Sequence, residues 1–362
     1  MLFLDLNFQN EPIHPAFLPY FNNYYTKNCR STLSYLETPS NYSTITSIVS
    51  TIVFPINIFA FYCIVRKTPK VMDGIKKELL ILHVWTFYCD NALNYLLIGY
   101  LFIPMFCGAS YGILAYYGLP IVIIGYLGTI GVTGVGTSLV ILFETRFNAV
   151  SSDKWILRNK TARLIYISIN YLYCLLFLIP AFFYWPNDEQ QIIEKLKILD
   201  IIPCPTIVFF QSNVVVGFST DGTTLALISC SIFAFVIISQ IMFFVIITIY
   251  RTFFSINMTL SLKTRKVQSR LFICLCIQVI IPTFALFIPS VWLCISMITK
   301  YYNQELTNIL IIIFSTHGTL SSICTILIYS PYRETLLNIC RRKRKIERIT
   351  TLTKNLRDTS LI

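Results

Sequence analysis

Charge is what this 362-residue sequence has least of. Charged side chains make up 13% of it, against about a quarter in soluble domains. That shortage excludes an ordinary water-soluble enzyme. Histidine occurs only 3 times. No phosphate-binding glycine loop, HExxH, GxSxG or paired-carboxylate signature is present, so the chain holds little catalytic material and reads as a non-enzyme. The 12 Cys form no CxxC pairs, which argues against a zinc module. Most of them lie in apolar runs, where a thiol behaves as a small hydrophobe. No metal or cofactor is called for. Met1 to Glu11 lacks a basic start and a long apolar stretch, so no signal peptide is expected and the first span should act as its own insertion signal.

What is present is grease. Apolar residues make up 55% of the chain, with a mean hydropathy of +0.66. They collect in seven runs with no Lys or Arg inside them, at 43–65, 79–103, 119–143, 164–185, 223–250, 271–298 and 307–329. Each is long enough to cross about 30 Å of hydrocarbon as a helix, the form that satisfies every backbone polar group within one segment. Of the 29 Lys and Arg, 24 fall on alternate connecting segments and 5 on the others. Positive loops stay cytoplasmic. The expectation is an all-α seven-transmembrane bundle with its N-terminus outside and its C-terminus inside. It divides into an extracellular lead (1–42), a membrane domain (43–329) and a cytoplasmic tail (330–362). The net charge of +12 then reflects the inner membrane face and not nucleic acid.

Several polar residues stand out against this background. Asp90 is a carboxylate well inside a span, where it costs roughly 2.5 kcal/mol or more and must face the bundle interior. Counting about 1.5 Å per residue from the cytoplasmic ends brings Asn57 and His317 to within roughly 6 Å of its height. A mid-membrane cluster of Asp90, Asn57, Asn91 or Asn94, and His317 is therefore expected. It either holds a cation or trades a proton, or it is a static knot that fixes helix packing. His83, one turn into its span, reads as a satisfied interfacial histidine. Gly125, Gly128, Gly131, Gly134 and Gly136 suggest a central third helix touching several neighbours. Pro282 and Pro289 should kink the sixth. The acidic segment 186–222 should cover the outer mouth. Arg146 ends the third span as a snorkelling anchor or as a latch for a cytoplasmic partner. The Asn41-Tyr42-Ser43 sequon abuts the membrane, which disfavours glycosylation. Cys340 is a palmitoylation candidate, and Arg341 to Lys345 should attract anionic lipid.

From about Leu36 to Cys340 the chain resembles the nematode serpentine chemoreceptors, class H most closely and class I second. The likeness rests on Thr38-Pro39, Pro55-Ile56, Tyr62-Cys63-Ile64, Lys67-Thr68-Pro69 with Met72, Leu79-Leu80, Leu82-His83 with Trp85, and Asp90. It continues in Pro104, Gly108 and Gly112-Ile113-Leu114, in Phe143-Glu144-Thr145-Arg146-Phe147, and in Pro331-Tyr332-Arg333. Thr145 and Ser330 depart from the family's usual Asn and His. The resemblance implies a G-protein-coupled chemosensory receptor in the plasma membrane, on sensory-neuron cilia, with a small external ligand and a heterotrimeric G protein as partners. Glu144, Arg146 and Arg333 would serve coupling. It also implies an outer disulfide, Cys29–Cys204, with Cys107–Cys204 as second choice. Two rivals remain: a ligand-gated cation channel, whose class has an inside N-terminus that the charge distribution opposes, and a small-solute transporter, whose halves should repeat where none do.

Overall fold

The structure, a computed structural model, describes residues 13–30, 32–151, 155–254, 262–339 and 341. Seven bundle helices run through them. The first is Pro39–Lys67, the second Asp73–Asn91 and the third Ile121–Val150; the fourth begins as Lys160–Leu176. The fifth is Thr220–Ile249 and the sixth Leu262–Thr299, and the seventh is built from Gln304–Phe314 and His317–Ile328. All but the second are long and apolar enough to cross a membrane. The second spends its first turns on Asp73, Lys76, Lys77 and Glu78. The sixth stays helical through Pro282 and Pro289. It is the seventh that breaks, at Ser315 and Thr316.

The second helix also stops early. It widens into a π-helical turn, Ala92–Leu96, and the chain then leaves the helix well before Ile103. Strand β1 (Gly99–Leu101) pairs antiparallel with β2 (Cys107–Ser110), which pairs with β3 (Val215–Val216). The apolar run did not reveal this because buried strands and helix ends share its composition. The glycines explain it. A Cβ on Gly112 would sit 2.3 Å from Leu96 O, and one on Gly108 2.5 Å from Tyr100 O.

The third helix is the axis of the bundle. Gly128, Gly131 and Gly134 all face the second helix and its end: a Cβ on each would meet Leu97, Tyr88 and Trp85, the last at 2.3 Å. Gly136 instead approaches Ile237 of the fifth helix. The glycine series is thus mainly one close seam, of the kind small residues make in lipid, with a single contact elsewhere. The fourth, fifth and sixth helices turn large apolar side chains outward, among them Leu172, Phe235, Ile246 and Phe284, as lipid-facing helices do.

A folded cap closes the end of the bundle away from the basic segments. The 186–222 segment is not a bare loop: Asp188–Ile201 is a surface helix, started by a capping box between Asn187 and Gln190. Phe17, Tyr25, Tyr42, Tyr100, Phe102, Phe209 and Phe210 form the cap's core. Cys29 and Cys204 are bonded, with Cα atoms 5.3 Å apart, while Cys107 is buried and free. Tyr25 donates to Pro205 O at 2.8 Å and Tyr100 to Glu37 O at 2.7 Å. Asn308 Nδ2 donates to Leu36 O at 2.7 Å and Gln304 Nε2 to Leu101 O at 3.0 Å, so the seventh helix is tied to the lead and to β1. Asn41 spends its amide on Tyr35 O, 3.1 Å away. At the opposite end, Ser330 to Ile339 forms a tail helix. Cys340 and Arg342 to Lys345 lie outside the described residues.

Two outcomes follow. Gly134→Leu drives a side chain into Trp85, and overpacking of this kind costs about 1–3 kcal/mol; a lower thermal midpoint of the purified protein checks it. In the cap, burial lowers the Lys195 ammonium from the ordinary lysine range to about 8. The folded chain therefore releases this proton at a lower pH than the unfolded chain. Below pH about 8 both states hold the proton and the fold carries the cost of burying a charge. From there towards the free-lysine value of about 10.4 the cap gains stability. Lys195→Met should flatten that slope, read as hydrogen exchange across the surface helix at stepped pH.

Candidate functional site

A connected knot of buried polar residues lies where the first, second and seventh helices meet. Its centre is Asp90, 1% exposed. Its Oδ1 accepts from Gly318 N at 2.9 Å, and its Oδ2 accepts from Thr319 Oγ1 at 2.7 Å. The break after Phe314 makes this possible. The second half of the seventh helix restarts at His317, so Gly318 N belongs to its first turn and has no partner of its own within the helix. A helix start also carries the positive end of the peptide dipole. The carboxylate therefore sits on a ready-made anion seat. Gly318 leaves no room for a side chain, since a Cβ there would lie 2.7 Å from Asp90 Oδ1 and Thr86 O.

The rest of the knot spreads from this pair. His317 Nδ1 lies 3.7 Å from Asp90 Oδ1 and 2.8 Å from Phe314 O, while its Nε2 is buried without a hydrogen-bond partner. Asn57 Oδ1 accepts from Ser322 Oγ at 2.6 Å, and His83 Nε2 lies 3.0 Å from Asn57 O. Asn94 Nδ2 donates to Asp90 O and to Ser315 O, both at 2.9 Å, and its Oδ1 accepts from Ser315 Oγ at 2.7 Å. The knot thus splints both irregular turns, the π-turn of the second helix and the gap in the seventh.

The structure places the sequence candidates unevenly. Asp90, Asn57, Asn94 and His317 come together. Asn91 does not: its amide donates to Phe87 O of its own helix at 2.8 Å. His83 is satisfied by Asn57 O and joins the knot, at 6% exposure. Ser315, Gly318, Thr319 and Ser322 escaped sequence reasoning because small hydroxyl residues are ordinary inside membrane helices. Their spacing from His317 was the one available signal. Among the described residues no group of three or more His, Cys, Asp and Glu is gathered as a metal site.

A second polar group lies at the basic end. Glu144, fully buried, is paired with Arg163 of the fourth helix, whose Nε is 3.0 Å from Glu144 Oε2. Arg163 Nη2 also reaches Glu78 Oε1 of the second helix at 3.1 Å and donates to Thr145 Oγ1 at 2.7 Å. Three helix ends are thereby clamped. Arg146 takes no part in this clamp. It is 4% exposed, and its Nε and Nη2 have no hydrogen-bond partner within the protein. Tyr332 is fully buried, with its hydroxyl 2.7 Å from Thr68 Oγ1. Neighbouring Arg333 is exposed and donates to Leu327 O at 3.1 Å, where it caps the seventh helix.

Replacing Asp90 separates shape from charge. Asp90→Asn keeps an acceptor for Gly318 N and should leave the thermal midpoint within a few degrees of the parent. Asp90→Leu orphans Gly318 N–H and takes the acceptor from the Thr319 hydroxyl; losses of about 1–3 kcal/mol per stranded polar group are expected, read as a lower thermal midpoint.

Two comparisons with known proteins bear on this architecture. The family model described as "Serpentine type 7TM GPCR chemoreceptor Srh" matches residues 37–342. A curated relative, "Serpentine receptor class H-72" of Caenorhabditis elegans, is 29% identical over 317 residues, 87% of this chain and 90% of that protein. With its seven helices, its buried knot and its clamped basic end, the chain belongs to the Srh family of serpentine seven-transmembrane chemoreceptors.

Proposed function

We propose that this chemoreceptor binds a small external chemical and passes the signal to a heterotrimeric G protein. The basic end faces the cytosol and the cap faces out, in the plasma membrane of a sensory cell. The charge distribution supports this orientation, and so does the Cys29–Cys204 bond, which suits an oxidising compartment. The ligand seat lies between the cap-side halves of the third, fifth, sixth and seventh helices, beneath the 186–222 segment.

The observation that carries the reading is Arg146. A guanidinium with five donors is enclosed at the cytosolic end with two nitrogens unpaired, although a buried charge without partners is costly. Such a group is stable only if the fold pins it, and it gains strongly once an acceptor-rich partner reaches it. Ligand binding shifts the bundle between closed and open populations by its differential affinity for them. Opening uncovers Arg146 and its neighbour Glu144 beside Arg333, which is exposed already, and they meet the G protein with the basic segment 251–270, of which 255–261 lie outside the described residues.

Asp90 and His317 supply the pivot. The bonds of Asp90 to Gly318 N and Thr319 Oγ1 hold the second half of the seventh helix in register with the second helix, and a cation held or a proton traded at this cluster accompanies opening. Asp90→Asn is expected to leave surface expression intact and to change signalling.

Both ideas are read in one assay: G-protein dissociation in cells expressing the receptor, against an odorant panel. A responding chemical should lose its effect on Arg146→Ala at unchanged surface expression. For Asp90→Asn the dose–response curve should move by about tenfold or more, the size of a coupling of about 1.4 kcal/mol. Superimposable curves for Asp90→Asn would leave the knot as packing alone, and a full response from Arg146→Ala would end the coupling assignment.

A further inference from the structure

The third, fifth and sixth helices close on one another towards the basic end and part towards the cap. On the third helix, Gly125, Thr129, Gly136 and Phe143 follow at steps of 4, 7 and 7 residues, near whole turns, so they share one stripe. The lower members of that stripe are in contact. Phe143 meets Phe272 of the sixth helix, with ring centroids 6.4 Å apart, and a Cβ on Gly136 would stand 3.5 Å from Ile237 of the fifth. The partner stripes can be followed upward from those contacts. On the sixth helix the steps from Phe272 are 11, 7 and 4 residues, to Thr283, Ser290 and Cys294; on the fifth, Cys230 lies 7 residues before Ile237. These four residues therefore turn towards the third helix, yet all of them are exposed. So is Gly125, with no atom within 4 Å of where its Cβ would stand. Exposure on the inward stripes of three helices marks a cleft between them. Thr129, Cys230 and Ser290 sit at one level in it, roughly 12–15 Å along their helices from the cap-side ends.

We propose that this cleft selects a small neutral alcohol. The inference rests on the ligand seat assigned above and adds the chemistry of its occupant. The cleft offers hydrogen-bond acceptors and not donors. Thr129 Oγ1 donates to Gly125 O at 2.9 Å, Thr283 Oγ1 to Val279 O at 2.7 Å and Ser290 Oγ to Leu286 O at 2.7 Å. Each hydroxyl proton is spent on its own helix, while each oxygen keeps lone pairs for a visitor. None of the stripe residues named is charged, so an ammonium or a carboxylate would enter a low-dielectric cleft without a counter-charge. A ketone, ester or amide brings a carbonyl oxygen, which finds a donor only if a hydroxyl gives up its helix carbonyl. An alcohol gives its one proton to Thr129 Oγ1 or Ser290 Oγ and asks for no donor in return. Glycine, hydroxyl and thiol walls leave width for a slim chain, whereas the bulky side chains of these helices, such as Phe235 and Phe284, turn to lipid. An occupant at this level bridges the third and sixth helices above the Phe143–Phe272 contact, on the helix that carries Cys274 beside Arg146.

The test reads binding without a G protein, so its failure is separable from failure of the signalling assignment. The full chain, in phosphatidylcholine nanodiscs, is irradiated with a diazirine-bearing alkanol, and modified residues are mapped by mass spectrometry. Labelling should fall on the inward stripes, on peptides that contain Thr129, Cys230 or Ser290. Competition by n-hexanol should exceed that by methyl butyl ketone, of similar size, by about fivefold, the worth of one hydrogen bond. Thr129→Val with Ser290→Ala removes both acceptors at that level and keeps the width; the two competitors should then become equal. Gly125→Leu, whose side chain enters open space, should fill the cleft and abolish labelling at an unchanged thermal midpoint. Equal competition in the parent overturns the alcohol assignment while leaving the seat. Labelling confined to lipid-facing residues such as Phe235 and Phe284, or labelling that survives Gly125→Leu, shows partition into the bilayer only and overturns the cleft as well.

Discussion

A carboxylate placed in hydrocarbon must be solvated by the protein, and most of this fold's irregular geometry follows from how Asp90 is solvated. Straight helices offer it nothing, because their interior N–H groups are already spent on their own carbonyls. The seventh helix is interrupted at Ser315 and Thr316, and its second half begins again beneath the carboxylate. The interruption exposes Gly318 N and aims a helix start at the charge. It also frees Ser315 O, which Asn94 takes up from the π-turn of the second helix. Two departures from ideal helix thus satisfy each other across an interface. Neither would persist alone, because each leaves backbone groups that lipid cannot satisfy.

The two ends of the bundle are finished in opposite ways. The cap end is closed by an aromatic core, a covalent bond between Cys29 and Cys204, and hydrogen bonds that tie the outer turns of the seventh helix to the lead and to β1. Such an end resists opening. The basic end has the Arg163 clamp on Glu78 and Glu144 and the Tyr332–Thr68 contact, with Arg146 enclosed beside them. Charged contacts of this sort exchange partners more readily than a packed aromatic core, since each charge can be met by another charge or by water. The opening proposed above would fall at this end, with the knot as the level below which the helices part.

Much of this was legible in the sequence. Seven lipid-length runs and the crowding of Lys and Arg on alternate segments gave the bundle, because both follow from solvation and do not depend on tertiary detail. Asp90 announced itself for the same reason, and matching helix heights brought Asn57 and His317 to it. Three things were hidden. The end of the second helix was masked because apolar strands look like apolar helix, and only the close approaches at Gly108 and Gly112 distinguish them. The surface helix Asp188–Ile201 lay within a stretch read by its length and acidity. The partner of His83 was hidden too, because only the packing of the first two helices brings Asn57 O to its ring. Periodicity fixes the face a residue lies on; it does not fix which neighbour stands there.

The clamp also changes how the Glu144-Thr145-Arg146 sequence should be understood. Two side chains two residues apart on a helix do not face each other, so Glu144 cannot readily neutralise Arg146 within its own turn. Here the acid turns to Arg163 and Glu78, and the base turns inward beside Tyr329 and Cys274. Glu144 is therefore held by the fourth helix, while Arg146 is held by enclosure. A displacement of the sixth helix, which carries Cys274, would uncover Arg146 without breaking the Glu144–Arg163 pair. The energetic cost of opening then falls on packing around one guanidinium and not on a buried ion pair, whose rupture would strand two charges in lipid. Thr145 fits this division: its hydroxyl accepts from Arg163 and so reinforces the clamp while leaving Arg146 to its pocket.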